Sequence, residues 1–420
     1  MGHPDTWDWE NGDRQIAFGE WKKKFRWVEE PYASPDGEKI AAIVNVDEGE
    51  FNVCVNGETD ETSHDKIWYL RFSPDNRLTT LVSDMGEWTV AVDNVSWGHQ
   101  FGYVWNTMFS DDGSHIAVAV QQDMTYGIAV DGILWANTYP NMTYFTFGRD
   151  GGHSAAVVQV EDFDSGDIET FKKGAFTAAF DGQAWDKRFV NLWHLSISDD
   201  GKDLAAEARL SLYDYAIIVN GIPWEKTYDC VWQPVFNPAT NTVAAPVRTG
   251  GRWFMAQDGG ILWDRPYTQL WHQQFSADGN TLAAIAATGF GKWTVVVDNR
   301  PWPVTFEDLI TDMVLTPGGD RIAVLVKEKG KWRIVVDGTR WSNAFDMAWK
   351  PVFSPDGQHV AANVEKNGSY TYVLDDRLWP CECEAAWPPV FSSMGDKILL
   401  KYIHDGIYHR RVVPLADFSS

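Results

Sequence analysis

A turn-forming tetrad recurs along this chain at a nearly constant step, and no other feature limits its possible folds so strongly. It reads Ser34-Pro-Asp-Gly, Ser73-Pro-Asp-Asn, Ser110-Asp-Asp-Gly, Gly148-Arg-Asp-Gly and Ser198-Asp-Asp-Gly. It continues as Asn237-Pro-Ala-Thr, Ser276-Ala-Asp-Gly, Thr316-Pro-Gly-Gly, Ser354-Pro-Asp-Gly and Ser392-Ser-Met-Gly. The steps between copies are 39, 37, 38, 50, 39, 39, 40, 38 and 38 residues. A fixed period near forty residues marks an array of like supersecondary units. Ten copies leave no room for an unrelated domain.

Each unit reads as four short strands. An apolar run such as Pro351-Val-Phe enters the tetrad, where Pro at the second position and Gly at the fourth suit a type I turn. A second run follows, as in His359 to Val364. A variable polar loop leads to a third, Tyr370 to Leu374. Then comes Asp-Gly, Asp-Asn or Asn-Gly, the strongest short-range hairpin signal. A brief fourth strand ends near a Trp. Helical periodicity is absent. Four strands in about forty residues, repeated, predict an all-β fold: a single β-propeller of four-stranded blades, ten by repeat count.

The two ends predict how it closes. A Trp lies 13 residues before most anchors, and Trp21 stands in that relation to Ser34. The chain therefore starts on a fourth strand with no hairpin partner, while the unit opened by Ser392 runs out after its third strand. An N-terminal strand completing the last blade removes both exposed edges. The expected layout is an extension over 1–16, the propeller over 17–414 and a tail over 415–420.

Tryptophan is abundant, with 23 residues, and 20 of them fall in three columns. The first is Trp21, Trp97, Trp135, Trp185, Trp224, Trp263, Trp302, Trp341 and Trp379. The second, five residues before the anchor, is Trp68, Trp105, Trp193, Trp232, Trp271, Trp349 and Trp387. The third, five before the hairpin, is Trp88, Trp253, Trp293 and Trp332, with Phe51, Tyr126, Phe176, Tyr215 and Tyr370 in other units. If Asp337-Gly338 forms a two-residue turn, Trp341 lies opposite Ile334 with Trp332 as its diagonal neighbour, within reach across antiparallel strands. Residues so placed are structural. Trp7, Trp9 and Trp27 belong to no column.

Charge narrows the partners. With 59 acidic against 35 basic residues the net charge is −24, which repels phosphate backbones and excludes ordinary nucleic-acid binding. No apolar run approaches the length of a membrane-spanning helix. The first residues lack the basic start and apolar core of a signal peptide. Gly2 and Thr6 match a loose myristoylation pattern that nothing else supports. The expected compartment is cytoplasmic. Nucleophile elbows, zinc-protease helices, phosphate loops and dinucleotide fingerprints are all absent, so no catalytic residue and no cofactor is expected.

The tetrad and hairpin turns are short and uniform. The opposite end carries loops that vary, where binding usually resides. One stands out: the anchor-to-hairpin distance is 33 residues from Gly148 to Asp181, against 20 to 22 in ordinary units. The surplus, near 160–173, offers Glu161, Asp162, Phe163, Asp164, Asp167, Glu169 and Phe171 as candidates for docking a partner. Cys381 and Cys383 are the only close cysteine pair and weak metal candidates, since a structural zinc site needs about four ligands. Cys54 falls in a third strand and Cys230 in a distant unit. His194 and His272, each following a second-column Trp, read as repeat-lining residues.

The tetrads at Ser34, Ser73 and Ser354 resemble those of WD40-like repeats in bacterial TolB-type propellers. The Trp columns, with an eight-residue step in Trp224/Trp232, Trp263/Trp271, Trp341/Trp349 and Trp379/Trp387, resemble more narrowly the tryptophan-rich D subunits of the Tmc transmembrane redox complexes of sulfate-reducing bacteria. That resemblance implies a cofactor-free docking or assembly subunit for sulfate respiration. It would sit cytoplasmically, peripheral to the inner membrane, with iron-sulfur and cytochrome subunits as partners. It carries no catalytic residues. Two other classes stay open: a hydrolase or lyase with acid or His residues converging at the central funnel, and a carbohydrate-binding propeller.

Overall fold

The structure, a computed structural model, describes residues 4–162 and 167–418. Ten antiparallel sheets follow one another along the chain as the blades of a β-propeller, numbered here 1 to 10 from the anchor at Ser34. Blade 8 is typical, with strands Leu309–Leu315, Ile322–Glu328, Lys331–Val336 and Thr339–Arg340 running from inner to outer position. Asp337 and Gly338 form its outer turn with φ of 49° and 78°, the left-handed pair that a two-residue hairpin requires. Trp341 N donates to Ile334 O at 3.0 Å, the predicted register.

Side chains lock the two kinds of turn together at one end of each blade. In blade 9 the Ser354 hydroxyl donates to Asp356 at 2.5 Å and accepts from His359 N at 2.9 Å. The hairpin Asp375 accepts from Val360 N at 2.9 Å, and Asp375 N donates back to Val360 O at 3.0 Å. The same exchange recurs at Asp131 with Ile116, Asp181 with Ser154 and Asp337 with Ile322. Each orphan backbone group at the strand start is thereby satisfied. The second strands are buried on both faces and carry small pairs such as Ala205-Ala206 and Ala361-Ala362, so neighbouring blades approach closely. The core is accordingly a series of layers between blades rather than one central mass. Ala361, Tyr372 and Leu374 of blade 9 meet Ile398, Leu400 and Tyr402 of blade 10 in one such layer.

Closure follows the expected scheme with one shift. The strand Gly12–Ile16 pairs with Ile407–Pro414 and completes blade 10, so it lies upstream of the boundary at 17. Trp21 begins a four-residue helix, Trp21–Lys24. The chain divides into two compact units of five blades each. One holds 1–100, 306–316 and 320–420; the other holds 101–305 and 317–319.

The inner strands depart from simple alternation. In blades 2, 3, 4, 5, 7, 8 and 10 a β-bulge interrupts pairing just after the second-column position. In blades 1, 6 and 9 the strand is broken ahead of Tyr32, Val235 and Val352, where Pro31, Pro234 and Pro351 stand. Proline cannot donate to a ladder. The bulge places Tyr69, Asn106, Tyr144, His194, His272 and Asp312 at positive φ and turns their side chains outward.

Candidate functional site

The tryptophan columns are structural, though the rings that meet are not those expected. Second-column rings lie on third-position rings of the same blade. Centroids are 4.6 Å apart for Trp68 and Trp88, 5.2 Å for Trp232 and Trp253, and 4.7 Å for Trp271 and Trp293. Trp105 with Tyr126, Trp193 with Tyr215, Trp349 with Tyr370 and Trp387 with Tyr408 repeat the contact. Trp27, outside the columns by spacing, does the same against Phe51 at 6.3 Å. The first column reaches across to the next blade. A Cβ on Gly182 would lie 3.1 Å from Trp135, and one on Gly221 3.4 Å from Trp185. Trp332 and Trp341 share the layer between blades 8 and 9. Trp7 and Trp9 stack on each other, and Lys397 Nζ donates to Trp9 O at 2.7 Å.

The insertion forms a short helix, Ile168–Lys173, capped by Asp167, which accepts from Thr170 N at 3.0 Å. Glu169 pairs with Lys172 at 3.1 Å, and Glu161 pairs with Arg188. Ile168 is exposed and Phe171 half-buried. Lys172 and Lys173 make the segment less uniformly acidic than its first half. Phe163 and Asp164 lie outside the described residues.

The cysteines of the 381–383 loop face each other with Sγ atoms 3.6 Å apart. Burial pushes both thiols up. It also pushes the Cys54 thiol up to about 11. Thiols held protonated are poor nucleophiles and poor ligands. Among the described residues no group of three or more His, Cys, Asp or Glu side chains is placed to hold a metal ion.

Two ionisable side chains stand where the repeat otherwise puts none. Counted from Ile398 in blade 10 and from the first strand residue elsewhere, the fourth position of the second strand is Ile43, Leu81, Ala119, Val157, Pro246, Ile285, Leu325 or Asn363 in eight blades, but Glu207 in blade 5 and Lys401 in blade 10. Both are buried, each 4% exposed. Lys401 Nζ donates to the carbonyls of Ser34 and Pro35, at 3.3 and 3.1 Å. Beside it, Arg410 donates to Asp36 O at 2.9 Å and Asp8 O at 2.6 Å and pairs with Glu38. These two cations hold the first anchor turn against blade 10. Glu207 has a different partner: the bulged His194, whose Nδ1 lies 2.9 Å from Glu207 Oε2. The dyad was legible in principle as an acid in an apolar column, but only once the ten strands are aligned by pairing.

A cleft of about 360 Å³ runs along the inner strands of blades 4 to 7, and neither His194 nor Glu207 lines it. Its wall alternates apolar side chains such as Phe147, Leu195 and Ile197 with amides of Gln233, Gln273 and Gln274. Arg149 at its rim is held between Asp111, at 2.7 Å, and Asp199, at 3.5 Å.

The fold and these sites define a β-propeller with inter-blade aromatic layers. No family model and no curated protein matches the sequence. A solved structure described as the eukaryotic initiation factor is 12% identical over 97% of this chain and 100% of that one, with a TM-score of 0.47. The β-propeller domain of Myceliophteria thermophila Cps50 (Swd1) is 13% identical over 65% of this chain and 96% of that one, with a TM-score of 0.29. Among the described residues no helix is long and apolar enough to cross a membrane.

Proposed function

We propose that the chain is a protein-docking scaffold whose contact surface is the end of the blades opposite the tetrad turns. One observation carries this reading. In the unit 101–305 the loops between second and third strands of blades 3, 4, 5 and 7 expose large apolar side chains, Met124, Ile168, Leu212, Tyr213 and Phe290, while blade 6 has Gly250 and Gly251 there. Apolar side chains exposed on four loops at the same end of the blades offer a surface for a partner. The tetrad turns are closed by their own hydrogen bonds, although the adjoining hairpins also expose Ile133 and Ile222. A net charge of −24 favours a basic partner and speeds its approach.

The resemblance to the Tmc D subunits supplies a setting: a cytoplasmic, cofactor-free assembly subunit beside iron-sulfur and cytochrome partners at the inner membrane. Native co-purification tests both levels. Recovery of haem or iron-sulfur proteins supports the redox setting. Deletion of Asp162 to Thr170, or a paired Tyr213→Ser and Phe290→Ser change, should reduce recovery of the partner while thermal unfolding stays that of the parent. Unchanged recovery from both variants excludes this face as the contact.

A further inference from the structure

The third residue before the anchor is Pro, Leu, Phe, Met or Thr in nine blades, but Gln273 in blade 7. Gln273 is 8% exposed and lines the cleft along blades 4 to 7. Its Nε2 donates to Gln233 O of blade 6. A carboxamide whose nitrogen is held by a carbonyl keeps its oxygen, with two lone pairs, as an acceptor. The ladder of blade 6 pairs Val231 with Val247 and Val235 with Ala244. Between these pairs stand Pro234 and Pro246, which have no N–H to close it, so Gln233 O is open to the next blade. Blades 1 and 9 break at Pro31 and Pro351 in the same way, yet Leu70 and Pro389 follow at the position of Gln273. A broken ladder therefore does not itself call for an amide.

The rest of the lining matches this amide. Gln233 and Gln274 add two carboxamides, and Thr146 and Ser196 two hydroxyls; all of them can both donate and accept. Phe147, Phe236 and Phe275, each just before its anchor, supply ring surface, and Leu195 and Ile197 add aliphatic surface. Only Arg149 and Asp199 among the lining residues are charged. They pair with each other at 3.5 Å, and Arg149 pairs also with Asp111 at 2.7 Å. A charged ligand would lose water here with no free counter-charge to receive it.

We propose that this cleft is a binding site for uncharged saccharides of one or two rings. Its volume, about 360 Å³, stands at the lower end of the range for small-molecule sites. Sugar hydroxyls need donors and acceptors together, which carboxamides supply and ammonium or carboxylate groups do not. The C–H faces of a pyranose are apolar and gain by leaving water for aromatic rings. A wholly apolar ligand would strip water from the amides and leave them unpaired. The site lies at the tetrad end, since Gly148, Pro238 and Ser276 belong to its lining. It is thus separate from the loops assigned to docking and does not rest on that reading.

The test titrates cellobiose and maltose into the full chain, read by calorimetry and by saturation-transfer NMR, with glucuronate and trialanine as contrasts. At least one disaccharide should bind, with saturation reaching its ring C–H protons, and the contrasts should not. Gln273→Leu matches the Leu70 and Leu195 of blades 2 and 5, so it should fold, as a melting curve checks. It should weaken disaccharide binding about 10-fold, the worth of one hydrogen bond. Gln274→Ala, at an exposed position, should weaken it to a similar degree and carries the test should Gln273→Leu fail to fold. The proposal is overturned if neither disaccharide binds, if glucuronate or trialanine binds as tightly, or if disaccharide binding survives both substitutions. In that last case Gln273 serves only to hold Gln233 O.

Discussion

Lys401 Nζ lies 3.1 Å from the carbonyl oxygen of Pro35, 366 residues earlier in the chain. Arg410, its cross-strand neighbour, reaches Asp36 O at 2.9 Å. The last blade thus grips the first through two buried cations that bind backbone rather than carboxylates alone. Gly37 makes the approach possible, since a Cβ there would come 3.0 Å from Arg410 and 3.1 Å from Lys401.

The Lys401 ammonium gives this contact a pH dependence. Burial pulls its pKa down from 10.5 to about 8. Between those values the unfolded chain holds more protons than the folded one, so stability rises with pH across that window. Urea titrations of the parent and of Lys401→Met should therefore diverge in favour of the parent from about pH 8 upward. The slope is about 1.4 kcal/mol per pH unit. A difference independent of pH would show that the lysine keeps its ordinary affinity for protons.

Acid should act on the other end of the scale. Hydrogen bonds from Ser110, Ser198, Ser276 and Ser354 hold Asp112, Asp200, Asp278 and Asp356 below the usual carboxylate range. Stability from a depressed carboxylate is present above its unfolded pKa and is lost as pH falls through the folded one. Ser354→Ala should move the acid-unfolding midpoint to higher pH. It should also cost about 1 kcal/mol at neutral pH through the lost hydrogen bonds. Circular dichroism across pH 1 to 5 measures the first effect.

Two glycines separate backbone strain from packing. Gly182 has φ 77° and its Cβ would press on Trp135; Gly251 has φ 75° with nothing within 4 Å. Gly251→Ala should cost only the left-handed penalty, about 1–2 kcal/mol. Gly182→Ala should cost more, because the Trp135 ring must shift in a close-packed layer. Equal losses of stability would mean that the first-column rings are loosely seated.

Removing residues 1–16 should open the sheet of blade 10. The strand Ile407–Pro414 would then present an unpaired edge, a template for association. Size-exclusion chromatography should show oligomers or aggregates, and the melting temperature should fall. A monomer of unchanged stability would mean that the closing strand is dispensable.

Much of this was legible in the residues. The tetrad and Asp-Gly spacings predicted the four strands, their turns and the closure, because each rests on local backbone rules that repeat. The positions of Trp135 and Trp232 in regular columns foretold packing roles. What escaped were departures from period two. Nothing local distinguishes His194 from an ordinary strand residue, since the bulge that re-aims it depends on the length of the neighbouring strand. The same holds for Trp27, which lies seven residues before Ser34 instead of five, yet still packs on Phe51. The insertion follows no repeat rule, and only the capping role of Asp167 at the helix Ile168–Lys173 could be read from local chemistry.

The order in which the last blade is assembled has a consequence for biosynthesis. Its outer strand, Gly12–Ile16, is made long before its partner, Ile407–Pro414. At about 5–20 residues per second, the early strand waits roughly 20–80 s for the edge it must join. During that interval every nascent chain carries a strand that has no partner. On a polysome, where neighbouring chains crowd together, each waiting strand can meet the unsealed blade of another chain, and the fidelity of closure becomes a question of timing.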